Sequence, residues 1–281
     1  MLQDKYRYGF THGGKFHADD VFSAALLKIL FKDIEIQRGN EVPINYIGIV
    51  FDIGLGKYDH HQNPIPIRNN GVQFAAFGLL WCDFGELVLS KKEADEFDRE
   101  FIQPLDINDN TGISNSISDI IETFNPTWDS KQEIQKAFDD AVDFAKIILE
   151  KQFSYIKSKT LANEYIKERI GYSKDGILIL EKHVPFKHVH LYPEIKYVIY
   201  PSIRGGFSIH ATNDKYYFYH NWRGRSKEEL IKISGIPSLY FCHRSGFLCV
   251  TYTLEDAIWV CDKNLSILQK AKNKVKRIPR Q

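Results

Sequence analysis

Two apolar runs near the start of the chain each end in a cluster of histidine and aspartate. The first run, residues 6–11, leads into His12, and the second, residues 46–51, leads into Asp52. Short apolar runs predict strands, and the continuous second run is typical of a central strand in a parallel sheet. Residues 21–30 lie between them and are too apolar for a surface helix, so they predict a helix packed on the sheet. Strand, helix and strand in this order predict an α/β fold.

The rest of the chain divides into a helical part and a part rich in short strands. After another candidate strand at residues 34–37, helical periodicity prevails over residues 73–124, with a break predicted at residues 106–112, and again over residues 131–170. Further short runs predict strands at residues 177–180, 197–200, 207–211, 216–219, 240–242 and 247–251, before a last helix at residues 254–274. We therefore predict two domains. Residues 1–170 would hold a mainly parallel sheet flanked by helices, with 131–170 as a helical connector, and residues 171–281 would form a smaller α/β domain.

The composition limits the class of protein and its partners. Charges nearly balance, with 37 Lys and Arg against 36 Asp and Glu, so any recognition of phosphate must be local. The four cysteines form no CxxC pair, which argues against a zinc ribbon or a disulfide framework and favours a reducing compartment. The chain also has no signal-peptide core and no run of roughly 20 apolar residues. We therefore expect a cytoplasmic protein with no membrane association.

The side chains that follow the two strands are of the types that bind divalent transition metals. His12, His17 and Asp19 follow the first strand, and Asp52 and His60 follow the later one. Functional groups of an open α/β sheet collect at the carboxyl ends of its strands, so both clusters are expected at one edge. Imidazole nitrogen mixed with carboxylate oxygen suits an ion such as Mn²⁺. A carboxylate between the clusters, such as Asp52, could bridge two ions that activate water for displacement at phosphorus.

Several of these residues also have a simpler explanation. Asp19 or Asp20 could cap the following helix, and Asp59 could orient a ligating imidazole. His61 could contact a substrate oxygen instead of a metal. A single histidine beside a strand is more often a surface or core residue than a ligand, but several histidines and carboxylates at two strand ends make a metal centre the stronger interpretation.

The same residues lie in motifs that resemble those of a known nuclease family. The chain has THGGKFHAD at residues 11–19, DIG at 52–54, YDHHQ at 58–62 and DINDNTGIS at 106–114. Near its C-terminus it has SGIP at 234–237 and FCHRSGF at 241–247. These segments are similar to motifs of the Myg exonuclease family, the melanocyte-proliferating-gene proteins. That family is part of the DHH phosphoesterase superfamily, which is named after an Asp-His-His motif matched here by Asp59-His60-His61.

The resemblance implies a metal-dependent phosphodiesterase with a DHH-type N-terminal domain. It implies two divalent ions, Mn²⁺ or alternatively Mg²⁺ or Co²⁺, which activate a water that attacks phosphorus while His61 contacts the scissile phosphate. The fourth motif would supply one acid, Asp109 or, one helical turn away, Asp106. The implied ligands are His12, His17 and Asp52 for one ion, and Asp19, Asp52, His60 and the fourth-motif acid for the other.

The C-terminal domain is implied to hold the substrate. Residues 222–225, Trp-Arg-Gly-Arg, offer stacking and charge for a nucleobase and a phosphate. The basic tail at residues 270–280 could contact RNA backbone, although a solvated helix end is the simpler interpretation. The candidates for holding a phosphate or a terminal carboxylate are His243, Arg244, Ser245 and Gly246.

The prediction is therefore a 3′–5′ exonuclease that acts on RNA or short oligonucleotides. Two alternatives stay open. One is a small-molecule phosphatase or pyrophosphatase, which would use the same metal pair in a tighter pocket. The other is a metal or nucleotide sensor without turnover. A homodimer is also left open.

Overall fold

A short parallel sheet at the start of the chain carries both predicted clusters at its carboxyl edge. The computed structural model describes residues 6–276. It places β1 (Tyr8–His12) between β2 (Glu35–Gly39) and β3 (Ile49–Val50), and both neighbours run parallel to β1. Helix α1 (Ala18–Leu30) connects β1 to β2 and is buried over most of its length. The predicted strand, helix and strand are therefore confirmed.

The strand predicted over residues 46–51 is much shorter than expected, because β3 contains two residues only. The backbone turns on either side of it, with positive φ angles of 61° at Asn45 and 55° at Asp52. Residues in this left-handed region cannot continue a strand. The turn at Asp52 matters for the site described below.

Helices surround the first sheet. They are α2 (Ala76–Phe84), α3 (Lys91–Phe97), a π-helical turn (Asp98–Ile102), α4 (Gln103–Thr111), α5 (Ser116–Glu122) and the first part of α6 (Ile134–Ile170). Their apolar sides form one core in which aromatic rings interlock, such as Phe22 with Phe77 at 5.7 Å and Phe16 with Phe138 at 5.6 Å between ring centroids.

The helix break predicted at residues 106–112 is wrong. Helix α4 continues to Thr111 and ends at Gly112, whose φ of 72° gives a left-handed cap and whose amide donates to the Asn108 carbonyl. Three of the polar residues that suggested a break have partners on other segments: Asp106 pairs with Arg68, and Asp109 and Asn110 contact His60.

The chain divides into two units within α6, between Lys157 and Ser158. The domain boundary expected from the sequence, at residue 170, lies at the end of the same helix. The last turns of α6 pack in the second unit, where Ala162 and Ile166 contact a cluster that includes Val198.

The second unit is built on a mixed five-stranded sheet in the order β4-β5-β6-β8-β7, in which only the β4–β5 pair is parallel. Helices α7 and α8 belong to the same unit and complete its mixed α/β fold. The elements are β4 (Ile177–Ile179), β5 (Tyr197–Pro201), β6 (Phe207–Ala211), α7 (Lys227–Ser234), β7 (Leu239–Cys242), β8 (Leu248–Thr251) and α8 (Leu254–Lys276).

The strand predicted at residues 216–219 is wrong. A 3₁₀ turn covers Asp214–Tyr216, and the amides that follow donate to a loop and a side chain instead of a neighbouring strand. The Phe218 amide donates to the Gly246 carbonyl, and the Tyr219 amide donates to Asn264 Oδ1 on α8, both at 2.8 Å. The Phe218 ring is fully buried and stacks on Tyr197, so this aromatic segment contributes to the core without joining the sheet.

Two further sequence expectations concern the whole chain. Within residues 6–276, no helix combines the length and the apolar character that a membrane crossing requires. All four cysteines are free thiols. The cytoplasmic location stays a prediction. The basic tail falls in part on residues outside those described.

Candidate metal centre

Asp52 lies directly after β3 and is held in an unusual backbone conformation. Its φ of 55° is in the left-handed region, which costs free energy for a residue other than glycine. Its carboxylate is 4% exposed and lies between two histidines. Oδ2 is 3.3 Å from His12 Nε2, and Oδ1 is 3.2 Å from His60 Nε2. Each carboxylate oxygen therefore faces a different imidazole.

Hydrogen bonds donated by the Nδ1 atoms fix the orientation of both imidazoles. His12 Nδ1 is 2.9 Å from the Gly13 carbonyl, and His60 Nδ1 is 3.2 Å from Asn110 Oδ1. The Asn110 amide nitrogen donates to the carbonyls of Phe74 and Asp106, so its oxygen must face His60. The Nδ1 atoms therefore carry protons and donate, which leaves each Nε2 to face the carboxylates. Metal-binding histidines are commonly oriented in this way.

The side chains at this edge form overlapping sets of ligand atoms. Within each set, all atoms lie within 4.8 Å of one another. Asp52 belongs to two of the sets and His60 to two. The sets are His12, Asp20 and Asp52; Asp19, His60 and Asp109; and Asp52, His60 and His61.

Two of the predicted ligands lie at the N-terminal ends of helices. The Asp19 carboxylate accepts hydrogen bonds from the Ala76 and Phe77 amides at 2.9 and 2.7 Å, which anchors it at the N-terminus of α2. His17 is the N-cap of α1, and its amide donates to Asp20 Oδ1 at 2.8 Å. The His17 ring lies beside the His12 ring, with 6.0 Å between centroids, but belongs to none of the three sets.

The two candidate acids of the fourth motif have different partners. Asp109 Oδ2 is 3.2 Å from His60 Nε2 and lies in one of the ligand sets. Asp106 is fully buried, and its Oδ2 is 2.7 Å from Arg68 Nη2. Arg68 also pairs with Asp98 at 2.7 Å. Asp106 therefore belongs to a buried ion-pair network one helical turn behind Asp109.

His61 is exposed, unlike His12 and His60, and is oriented by Asp59. Asp59 Oδ1 accepts from the His61 amide at 3.0 Å and from its Nδ1 at 2.8 Å, and Asp59 Oδ2 accepts from the Leu55 amide at 2.6 Å. This leaves His61 Nε2 for a ligand. The ring borders an open cavity of about 960 Å³ that is also lined by Lys15 and His17. That volume is at the upper end of the range for small-molecule sites.

The charges of the site strongly perturb the pKa values of its groups. Burial lowers the pKa of His12 and of His60, but the Asp52 carboxylate and neighbouring acids outweigh burial and raise both to about 9. Burial raises the pKa of Asp52, but the two imidazoles lower it to about 2. Burial raises the pKa of Asp20 to about 7. Without ions, protonated imidazoles therefore balance the buried carboxylate.

The donor atoms fit a divalent cation. Asp20 Oδ2, Asp52 Oδ1 and His60 Nε2 are buried and make no hydrogen bond of good geometry, although buried polar atoms are normally paired. The nitrogen–oxygen separations of 3.2–3.4 Å are close to the roughly 3 Å expected between two ligands that each lie about 2.1 Å from one ion. A divalent cation would bind these unpaired atoms and neutralise the negative charge of the carboxylates.

Comparison with known proteins identifies the family of the chain. The MYG1 exonuclease family model, described as "Uncharacterised protein family (UPF0160)", matches residues 10–265. The chain belongs to this family. The matched region includes every metal ligand predicted from the sequence and also residues 243–246. Family membership was predicted from the motifs and is confirmed, whereas the assignment to the DHH superfamily stays a prediction.

Individual relatives are similar to this chain over most of their length. The MYG1 protein C694.04c of Schizosaccharomyces pombe is 30% identical over an alignment that covers 92% of this chain and 97% of that protein. The MYG1 exonuclease of Bos taurus is 28% identical, with 88% of this chain and 82% of the relative covered, and that of Homo sapiens is 27% identical, with 88% and 83% covered. Nothing in these comparisons or in the described residues supports the homodimer left open by the sequence.

The substrate-binding candidates lie in the second unit. Residues 243–246 form the turn between β7 and β8, in which the Ser245 amide donates to His243 Nδ1 at 3.1 Å and Gly246 has a φ of 81°. Arg244 is exposed. Trp222 is 1% exposed in the core, so it is not available to stack on a base as the sequence suggested.

Three residues in or directly behind the metal centre were not assigned a part in it from the sequence. Asp20 was interpreted as a cap, yet its Oδ2 is 3.4 Å from His12 Nε2. Its position next to Asp19 was the available signal. Asn110 stands within the fourth motif, but its contact with His60 depends on the fold. The sequence gives no signal for Arg68, because its two acidic partners lie far along the chain.

Proposed function

We propose that the chain is a metal-dependent phosphodiesterase of the DHH type, a 3′–5′ exonuclease on RNA or short oligonucleotides. The observation that carries the proposal is the position of Asp52, whose two oxygens face two separate imidazole nitrogens. A carboxylate placed in this way can bridge two ions, which is the arrangement used for displacement at phosphorus. The exonuclease names of the bovine and human relatives support the same reaction class.

The geometry supports the following assignment of ligands. One ion would be held by His12, Asp52 and an acid or imidazole from the start of α1, for which Asp20 is better placed than His17. The second would be held by Asp19, Asp52, His60 and Asp109. We propose Asp109 instead of Asp106, because Asp106 pairs with Arg68 and belongs to none of the three ligand sets. Nitrogen and oxygen donors favour Mn²⁺, with Mg²⁺ and Co²⁺ as alternatives.

Two divalent ions in this site would lower the pKa of a water molecule and neutralise negative charge on phosphate. The protein's own groups would orient the substrate. His61 presents Nε2 to the cavity because Asp59 holds its Nδ1, so the imidazole can donate to a phosphate oxygen. The cavity is open and large enough for a nucleotide at the end of a strand, which favours an oligonucleotide over a small phosphoester.

The test is degradation of a short RNA labelled at its 5′ end, with Mn²⁺ present and absent. We expect a ladder that shortens from the 3′ end with wild-type protein, and none with Asp52→Asn or His60→Gln. Asp33→Asn is a matched control, since this exposed aspartate lies in the turn between α1 and β2. Intact RNA together with hydrolysed pyrophosphate would instead indicate a small-molecule phosphatase. Tight Mn²⁺ binding without any turnover would indicate a sensor.

A further inference from the structure

One side of the second unit carries a continuous series of aromatic and imidazole rings, which we call the ring strip. Each ring is close to the next, with centroid separations of 4.4–5.4 Å along the series. In order, the rings belong to His183, Tyr200, Phe186, His210, Phe247 and His243.

The ring strip lies on the opposite face of the sheet from the main core of this unit. Tyr197 and Ile199 of β5 and Ile209 of β6 point into that core, and residues alternate in direction along a strand, so Tyr200 and His210 point to the other face. Part of that other face is covered, because Phe186 and Tyr200 pack against the cluster formed with the last turns of α6.

Exposure distinguishes the ring strip from an ordinary core. None of its six rings is buried, and His183 is exposed. The same unit buries its core rings almost completely, with Tyr197 and Phe218 at 0% and Trp222 at 1%. A series of contacting rings that stays partly in water offers ring faces to a ligand.

The segments that carry the ring strip have a net positive charge, which favours a polyanion. The three segments that carry the rings, residues 181–186, 200–210 and 241–248, contain Lys182, Arg204 and Arg244 as well as the three imidazoles. Their one acid, Glu181, is 2.8 Å from Arg169 and is neutralised by it. Burial and the nearby His183 lower the pKa of His210, so this imidazole stacks as a neutral ring at pH 7.

We propose that the ring strip is a stacking surface for the bases of a short single-stranded oligonucleotide, with the flanking basic residues close to its phosphates. Rings stack on the faces of unpaired bases, while basic residues follow the backbone, and the two together are typical of single-strand recognition. The identity of the ligand rests on the proposed nuclease function, but the surface itself is defined without the metal centre.

The test measures binding separately from hydrolysis. The full-length chain in EDTA, with its fold checked by circular dichroism, is titrated into a six-nucleotide RNA that carries 2-aminopurine. Stacking quenches 2-aminopurine fluorescence, so we expect quenching and a rise in anisotropy with the wild-type chain. We expect about tenfold weaker binding and loss of quenching for Phe247→Ala and His210→Ala. Phe247→Tyr keeps the ring and should bind like the wild type.

Two controls make the result specific. Tyr172→Ala removes a ring that is 82% exposed in the same unit but outside the ring strip, and should leave binding unchanged. An abasic oligonucleotide of the same length should bind about as weakly as the alanine variants do. Equal affinity for the abasic strand, equal affinity of Phe247→Ala and wild type, or no binding at all would each overturn the proposal.

Failure of this inference and failure of the proposed function give different results. Asp52→Asn should lose hydrolysis yet keep quenching, because it changes only the metal centre. If RNA is hydrolysed in Mn²⁺ while Phe247→Ala binds as wild type, the exonuclease proposal stands and the stacking surface is wrong. If oligonucleotide binds with quenching but is never hydrolysed, the stacking surface stands and the exonuclease proposal is wrong.

Discussion

Asp106 and Asp109 lie one helical turn apart on α4, and the structure predicts opposite results when each is changed to asparagine. Asp109→Asn should weaken metal binding and leave the metal-free protein at least as stable as before. Asp106→Asn should destabilise the fold and leave the number of bound ions unchanged. The substitutions are chemically identical and the two sites share one helix, so each variant is the control for the other.

The expected stability loss for Asp106→Asn follows from burial. The Asp106 carboxylate is fully buried, and its partner Arg68 has a side chain that is 7% exposed. Removal of one partner from a buried ion pair costs about 3–5 kcal/mol. Burial raises the pKa of Asp106 to about 7, so the loss is measured at pH 8, where the carboxylate is mostly ionised. Arg68 keeps its contact with Asp98, so we expect the lower end, about 3 kcal/mol. For a unit of this size, that corresponds to a fall in Tm of roughly 10 °C.

Burial raises the pKa of both acids, to about 7 for Asp106, but they differ in their partners: Asp106 pairs with Arg68, whereas Asp109 faces the His60 imidazole. Burial, together with the negative charge of Asp52, raises the pKa of Asp109, which means that the fold disfavours its ionised form when no ion is present. A neutral asparagine removes that cost. As a direct ligand, Asp109 should matter more for affinity than an outer-shell partner, whose loss typically weakens binding by roughly 10- to 100-fold.

Two measurements decide the matter. Thermal unfolding in EDTA gives the stability of each variant, and calorimetric titration with Mn²⁺ gives the affinity and the number of ions bound. The reasoning is refuted if Asp106→Asn loses an ion at unchanged Tm, or if Asp109→Asn binds two ions with wild-type affinity.

Three further predictions follow from the same geometry. Asp52→Asn should weaken both ions together in the Mn²⁺ titration, whereas a loss confined to one ion would contradict a bridging position. Mn²⁺ affinity should rise from pH 6.5 to 8.5, because His12 and His60, with pKa values of about 9, must each release a proton to bind. Calorimetric titration in buffers of different ionisation enthalpy should detect the release of up to two protons per protein. Binding of Mn²⁺ without proton release would contradict the pKa assignment. Gly78→Ala should lower Tm by several degrees because its methyl group would overlap Asp106 and Arg68, whereas Gly171→Ala, with nothing within 4 Å, should not.

Much of the site could be predicted because it depends on local rules. A strand that ends at His12 and a neighbouring parallel strand that ends before Asp52 must deliver both residues to one sheet edge. The approximate positions of α1 and α6 followed from their apolar periodicity in the same way. These features need only the sequence near each element and the topology of parallel sheets.

The features that could not be predicted depend on partners that are distant in sequence. Residues 106–112 have the composition of a helix break, and they stay helical because Asp106 meets Arg68 and Asn110 meets His60. Residues 216–219 have the composition of a strand, and they leave the sheet because Phe218 fills the core beside Tyr197. In each case tertiary contacts outweigh local propensity.

The metal-free site shows how the same carboxylates can serve both folding and ion binding. Asp52 is buried and ionised, and the protons on His12 and His60 balance its charge when no ion is present. Buried carboxylates without such compensation would strongly destabilise the fold. A divalent ion would have to displace those protons, so protons and metal ions compete for one set of atoms. We therefore expect occupancy of the proposed site to depend on both pH and metal concentration.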